Sequence, residues 1–175
     1  GYLDIVAAGS DGSLVAYNRN GAPFPAFASV RYSALIYAAT ESSPVVADIT
    51  GDGAPDIVIG DDNGVLSGFG ADGLPLPGFP IRIPAEVKGT PPLCDCDGDG
   101  LSEIVLAGWD ARLYVWDYDM PFSPGVTPPW QQFHHDAMRT GLASAQTVLE
   151  DAGFRLGGSH VDPDNYFALA LAAPV

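Results

Sequence analysis

The chain has 175 residues, with 22 acidic against 7 basic side chains and a formal net charge of −15. That balance argues against nucleic acid and anionic membrane surfaces as partners, because both would repel it. The 21 glycines and 16 prolines, with no run of the roughly 18 apolar residues that a membrane helix needs, favour many short strands joined by turns in a single domain.

In chain order, an internal repeat organises the sequence. The segment from Asp4 to Asn18 reads DIVAAGSDGSLVAYN, that from Asp56 to Gly70 reads DIVIGDDNGVLSGFG, and that from Glu103 to Asp117 reads EIVLAGWDARLYVWD. The three align without a gap, matching Leu14 with Leu66 and Leu113, and Tyr17 with Phe69 and Trp116. Each copy predicts the same short strands. An apolar run enters an acidic loop (Pro44 to Ala47, Pro92 to Cys94), and a second leaves it (Ile57 to Ile59, Ile104 to Ala107). The exit run is apolar on both faces, as a strand with neighbours packed above and below must be. Asp11-Gly12 and Asn63-Gly64 are hairpin signals, because such pairs tolerate the positive φ of tight turns. A third strand ends in the aromatic, and a Gly/Pro-rich passage leads to an outer strand such as Phe79 to Ile83. Four short antiparallel strands per unit of this length are the pattern of a β-propeller blade. The fold class expected is all-β, a partial β-propeller of about three blades with an irregular C-terminal tail.

Two acidic loops carry the chemistry. In the loop from Asp95 to Glu103, carboxylates stand at positions 1, 3, 5 and 9 (Asp95, Asp97, Asp99, Glu103), with Gly100 at position 6. A tight loop aims alternate side chains inward, and four clustered carboxylates repel unless a hard cation sits among them. Calcium takes about six to eight oxygens. Position 7, Leu101, would add its backbone carbonyl. The loop from Asp48 to Asp56 repeats this with Asp48, Thr50, Asp52 and Asp56, and Ala54 at position 7. The neutral oxygen of Thr50 predicts weaker binding. An EF-hand would need a carboxylate near position 12 and an exiting helix. Position 12 is Ile59 or Leu106, and strands follow. A solvated acidic turn without an ion is the alternative.

Cys94 and Cys96 are two residues apart, a spacing at which a mutual disulfide is expected to be strained, and they align with apolar Ala47 and Ile49. They read as small buried thiols. Gly1 to Asp4 aligns with Gly53 to Asp56, so the first copy is expected to start inside a loop, with further blades before it. After Asp119, prolines 121, 124, 128 and 129 make a stiff extended passage. His134, His135 and Asp136 invite a metal or catalytic reading, but adjacent residues of an extended chain point to opposite sides and no third ligand completes a zinc set.

The loops followed by Ile-Val strands, repeated at this spacing, resemble the FG-GAP/VCBS repeats of integrin-α-like β-propellers, of the kind found in bacterial secreted proteins. The family's calcium pattern D-x-[DN]-x-D-G-x-x-D is met by Asp95, Asp97, Asp99 and Glu103, and by Asp48, Asp52 and Asp56; Thr50 and Glu103 are the departures. The resemblance covers roughly residues 1–142. The segment from Trp130 to Gly141 resembles the sequence that closes the last such repeat, and implies a structural latch rather than catalysis. Residues 143–175 read as a tail or a linker toward another domain, with Phe167 to Val175 an edge strand, a tail, or the lead-in to a sorting or immunoglobulin-like domain.

The resemblance implies a calcium-binding, non-enzymatic module of a secreted or cell-surface protein, extracellular, acting in adhesion, ligand binding or as a scaffold. Its partners would be a protein or glycan and further blades of the same parent. The alternative is an accessory propeller of a larger secreted hydrolase or lyase. The sequence carries no Gly-x-Ser-x-Gly, no His-Glu-x-x-His and no nucleophile with an evident base.

Overall fold

The computed structural model describes residues 4–33, 40–121 and 168–172. Among them the fold is all-β, in three small antiparallel sheets. The first sheet holds β1 (Asp4–Ala8) and β2 (Leu14–Tyr17). The second holds β3 (Val45–Ala47), β4 (Asp56–Gly60), β5 (Val65–Phe69) and β6 (Ile81–Arg82) in that spatial order. The third holds β7 (Leu93–Cys94), β8 (Leu101–Ala107) and β9 (Leu113–Pro121). Each acidic loop joins an entering strand to the antiparallel strand beside it, pairing Ala47 with Asp56 and Cys94 with Glu103. The one 3-10 turn among the described residues, Pro25–Phe27, lies in the first Gly/Pro-rich passage.

The strand β10 (Ala168–Ala172) pairs antiparallel with β1, with Asp4 opposite Ala172 and Ala8 opposite Ala168. It flanks β1 as β3 flanks β4. Of the readings open for the end of the chain, these five residues take that of an edge strand.

The core explains why the exit runs lack polar alternation. In β4, Ile57 and Ile59 pack toward Val6, Ala8, Leu14 and Phe27 of the first repeat. Val58 points the other way, toward Leu93 and Ile104 of the third. The second sheet is thus buried on both faces, and its strands have no solvent side on which polar residues would be favourable. A smaller cluster, Ile83, Val87 and Leu106, seals the outer end between the second and third sheets. On the third sheet the inward residues Ile104 and Leu106 are buried, while Leu113 and Val115 on β9 face outward and are exposed.

The hairpin turns behave as their sequences predict, with one exception. Gly12 and Gly64 take positive φ at equivalent places in the first two repeats. A Cβ at Gly64 would also collide with the carbonyl oxygens of Ile83 and Ala85. The third repeat places Ala111 there, at φ 62°. An L-residue is disfavoured in that region because its Cβ crowds the following carbonyl.

Segments are also tied together by polar contacts. The buried Tyr32 hydroxyl donates to the Gly9 carbonyl at 2.8 Å, and Ser67 Oγ donates to the Tyr32 carbonyl at 2.9 Å. Lys88 Nζ lies 3.4 Å from each of Glu41, Asp62 and Glu86, and 5.8 Å from the centre of a Trp109 ring.

Candidate metal centre

The loop between β7 and β8 brings its four predicted carboxylates together. One oxygen from each of Asp95, Asp97, Asp99 and Glu103 lies within 4.8 Å of the others. Local geometry produces this convergence. Asp95 Oδ1 accepts the Gly98 N–H at 2.8 Å, Asp97 Oδ1 the Asp99 N–H at 3.1 Å, and Asp99 Oδ1 the Leu101 N–H at 2.8 Å. Each bond folds a side chain back over the loop. Gly98 and Gly100, at φ 83° and 88°, supply the left-handed bends between them. Position 4 of the loop therefore needs glycine as much as position 6, and the upstream loop repeats the pair with Gly51 and Gly53.

Glu103 forms the floor of this loop. It is buried at 2 % exposure, whereas Asp97 and Asp99 are exposed at the rim. One carboxylate oxygen, Oε2, accepts the Cys96 N–H. The other, Oε1, is buried and has no hydrogen-bond partner. Oε1 therefore has no protein donor in place of the water it loses on burial. Its extra methylene, the departure noted in the sequence, does not keep it from reaching the other three. A donor set of carboxylate oxygens alone suits a hard cation such as calcium.

The loop between β3 and β4 has the same turn but a different arrangement. Asp48 uses both oxygens on the loop backbone, accepting from Gly51 at 2.7 Å, Asp52 at 3.1 Å and Gly53 at 2.9 Å. Asp52 accepts the Ala54 N–H at 2.7 Å. Asp56 Oδ2 accepts the Ile49 and Thr50 N–H groups at 3.1 and 3.0 Å. Burial pushes the Asp56 carboxyl up to about 6, against the opposing pull of Thr50 and Ile49. Among the described residues, Asp48, Asp52 and Asp56 do not gather into a convergent group as the downstream set does. The Thr50 hydroxyl is buried and sits beside Asp56, where it helps to hold the Asp56 carboxylate. Glu103 Oε1, in the downstream set, is a buried side-chain oxygen with no such neighbour to bond. Ala54 and Leu101, predicted to give carbonyls at position 7, sit where each loop turns toward its exit strand.

The cysteines differ from expectation. Cys94 is half-buried, Cys96 is exposed, and the two are joined in a disulfide with Cα atoms 5.2 Å apart. The chain bends as it leaves β7, which brings the two Cα atoms closer than an extended i, i+2 pair would stand. The Cα separation falls within the range that disulfides span. The residues from His134 to Asp136, like the rest of the segment that resembles a latch, lie outside the described residues.

The FG-GAP-like repeat family matches residues 1–59, a span that runs from the first strand through the Asp48 loop and into β4. No curated protein and no solved structure matches the chain. The family match and the three antiparallel sheets agree: residues 1–59 carry an FG-GAP-like repeat, within an all-β fold consistent with a partial propeller.

Proposed function

We propose that this chain is a non-enzymatic, calcium-stabilised repeat module of an extracellular protein, acting in adhesion, ligand binding or as a scaffold. The observation that carries the reading is the convergence of Asp95, Asp97 and Asp99 on the carboxylate of Glu103, which is buried and keeps one oxygen, Oε1, without a hydrogen-bond partner. Calcium held there would supply the positive charge that this oxygen lacks, with Asp95, Asp97, Asp99 and Glu103 as side-chain ligands and the Leu101 carbonyl completing the set. Asp48, Thr50, Asp52, Asp56 and the Ala54 carbonyl would form a weaker upstream site, because one carboxylate is replaced by a hydroxyl and Asp48 is committed to the backbone. The ligands run from the residue after β7 to Glu103 in β8, so occupancy ties the entering strand to the exit strand and stabilises the native state alone.

FG-GAP repeats are generally non-catalytic and usually occur in extracellular proteins. A disulfide between Cys94 and Cys96 accords with an oxidising compartment. Among the described residues no helix is long and apolar enough to cross a membrane. A groove of about 360 Å³ beside β5 and β6 is lined by Arg31, Arg82 and Asp61 together with Tyr32 and Phe79.

The test is thermal unfolding and calorimetric titration, with calcium and with chelator, on the wild type and on the Asp97→Ala/Asp99→Ala variant. Calcium at 100 times its Kd stabilises by about 2.7 kcal/mol. The wild type is expected to melt higher with calcium, and the variant to lose the response of the downstream loop. Equal melting curves for the wild type in calcium and chelator would overturn the metal assignment.

A further inference from the structure

We propose that the reduced chain holds a second metal site, Cys94–Cys96–Glu103, for a thiophilic divalent cation such as zinc. The cysteine oxidation state then selects which class of cation this loop takes. The sulfurs of both cysteines and a Glu103 oxygen lie within 4.8 Å of one another. Glu103 is more than nine-tenths buried, has one oxygen without a hydrogen-bond partner, and places a carboxylate oxygen in this cluster as well as in the carboxylate cluster. Asp95, the first member of the hard set, stands between the two cysteines. One carboxylate therefore serves two donor sets of opposite character. The exposed Cys96 leaves the bridge open to a reductant. The upstream loop has Ala47 and Ile49 in these places, so the device is confined to the downstream repeat.

Oxidised, the sulfurs are bonded to each other and are poor ligands, so the loop presents carboxylates alone. A trialkylphosphine and water convert the disulfide to two thiols and a phosphine oxide, with two electrons passing from phosphorus to sulfur. Metal binding then releases the two thiol protons, and two thiolates and one carboxylate leave a fourth tetrahedral position for water. Thiolates favour zinc over calcium by ligand softness. Competition between the two cations rests on the calcium reading above; the thiolate site itself does not.

Cobalt(II) is the probe, added alone to full-length chain reduced with phosphine and desalted without oxygen. Thiolate-to-cobalt charge-transfer absorption is expected to saturate at a single equivalent and to vanish on adding zinc. The oxidised protein and the Cys94→Ser/Cys96→Ser variant should lack it, and Glu103→Gln, checked as folded by circular dichroism, should need more cobalt to reach it. Absence of the absorption from the reduced wild type would overturn the site, and an unchanged midpoint in folded Glu103→Gln would remove Glu103 from it. Calcium in excess should move the cobalt midpoint upward. If calcium stabilises the oxidised protein yet leaves that midpoint fixed, the selection is overturned. If calcium stabilises neither form, the calcium reading fails while the charge-transfer absorption still reports the thiolate site.

Discussion

The Cys96 backbone N–H donates to Glu103 Oε2 across the downstream loop, while Oε1 of the same carboxylate is buried without a partner. The pair closes the loop but leaves half a charge unsatisfied. Glu103→Gln keeps an acceptor for Cys96 and removes the buried charge. In chelator this variant should be neutral to about 2 kcal/mol more stable than the wild type, as often found when a poorly compensated buried charge is removed. In calcium the order should reverse. Paired urea titrations in the two media check the crossing, and a variant less stable in both would show that Glu103 is satisfied without a cation.

Thr50 occupies the place that Asp97 holds downstream. Thr50→Asp should give the upstream loop a fourth carboxylate and add a binding event to the calcium titration. Without the ion it should destabilise by about 1–3 kcal/mol, the range for adding an uncompensated polar group to a partly buried site. Calorimetry that finds no new event would mean that Asp48, already bonded three times to its own loop, cannot turn to a cation.

Stability in chelator should depend on pH through Asp56. Burial raises its folded-state carboxyl to about 6, above the ordinary 3.8. The folded state therefore holds this proton more tightly than the unfolded chain. Its contribution is fully present below the unfolded value and is lost as pH rises through about 6. Stability should increase as pH falls from about 7 to about 4. Asp56→Asn should flatten that slope, as seen in urea midpoints across the range; a slope unchanged in Asp56→Asn would assign it to another group.

Ala111 and Gly64 offer opposite tests of one turn. Ala111→Gly should stabilise by about 1 kcal/mol, because glycine reaches φ 62° without the steric cost an L-residue meets. Gly64→Ala should destabilise by more, at about 2–4 kcal/mol, since its Cβ meets two carbonyl oxygens as well. Thermal melts of the two variants should move in opposite directions.

What could be read from the sequence was local. The acidic loops, the glycines that bend them and the Asp11-Gly12 and Asn63-Gly64 hairpins depend on residues a few positions apart, and periodicity exposes them. The doubly buried face of β4 was legible because Ile57, Val58 and Ile59 offer no polar alternation. The Cys94–Cys96 bridge was misread because its formation depends on how sharply the chain bends on leaving β7, a property of three-dimensional placement. The gathering of Glu41, Asp62 and Glu86 around Lys88 was missed, since residues from separate turns meet there only after the sheets pack. The different postures of Asp48 and Asp95 were also hidden, because the same residue type at the same loop position can bond the backbone three times or once.

The pairing of β10 with β1 has a consequence for how the molecule is made. The second and third sheets join strands near one another in sequence, so each can form while the chain is still emerging from the ribosome. The first sheet cannot: Asp4 must wait for Ala172. The first of the three repeats is therefore completed only after the other two, and β1 keeps an open strand edge until β10 arrives. That interval is when a chaperone, or a second nascent copy, would find it.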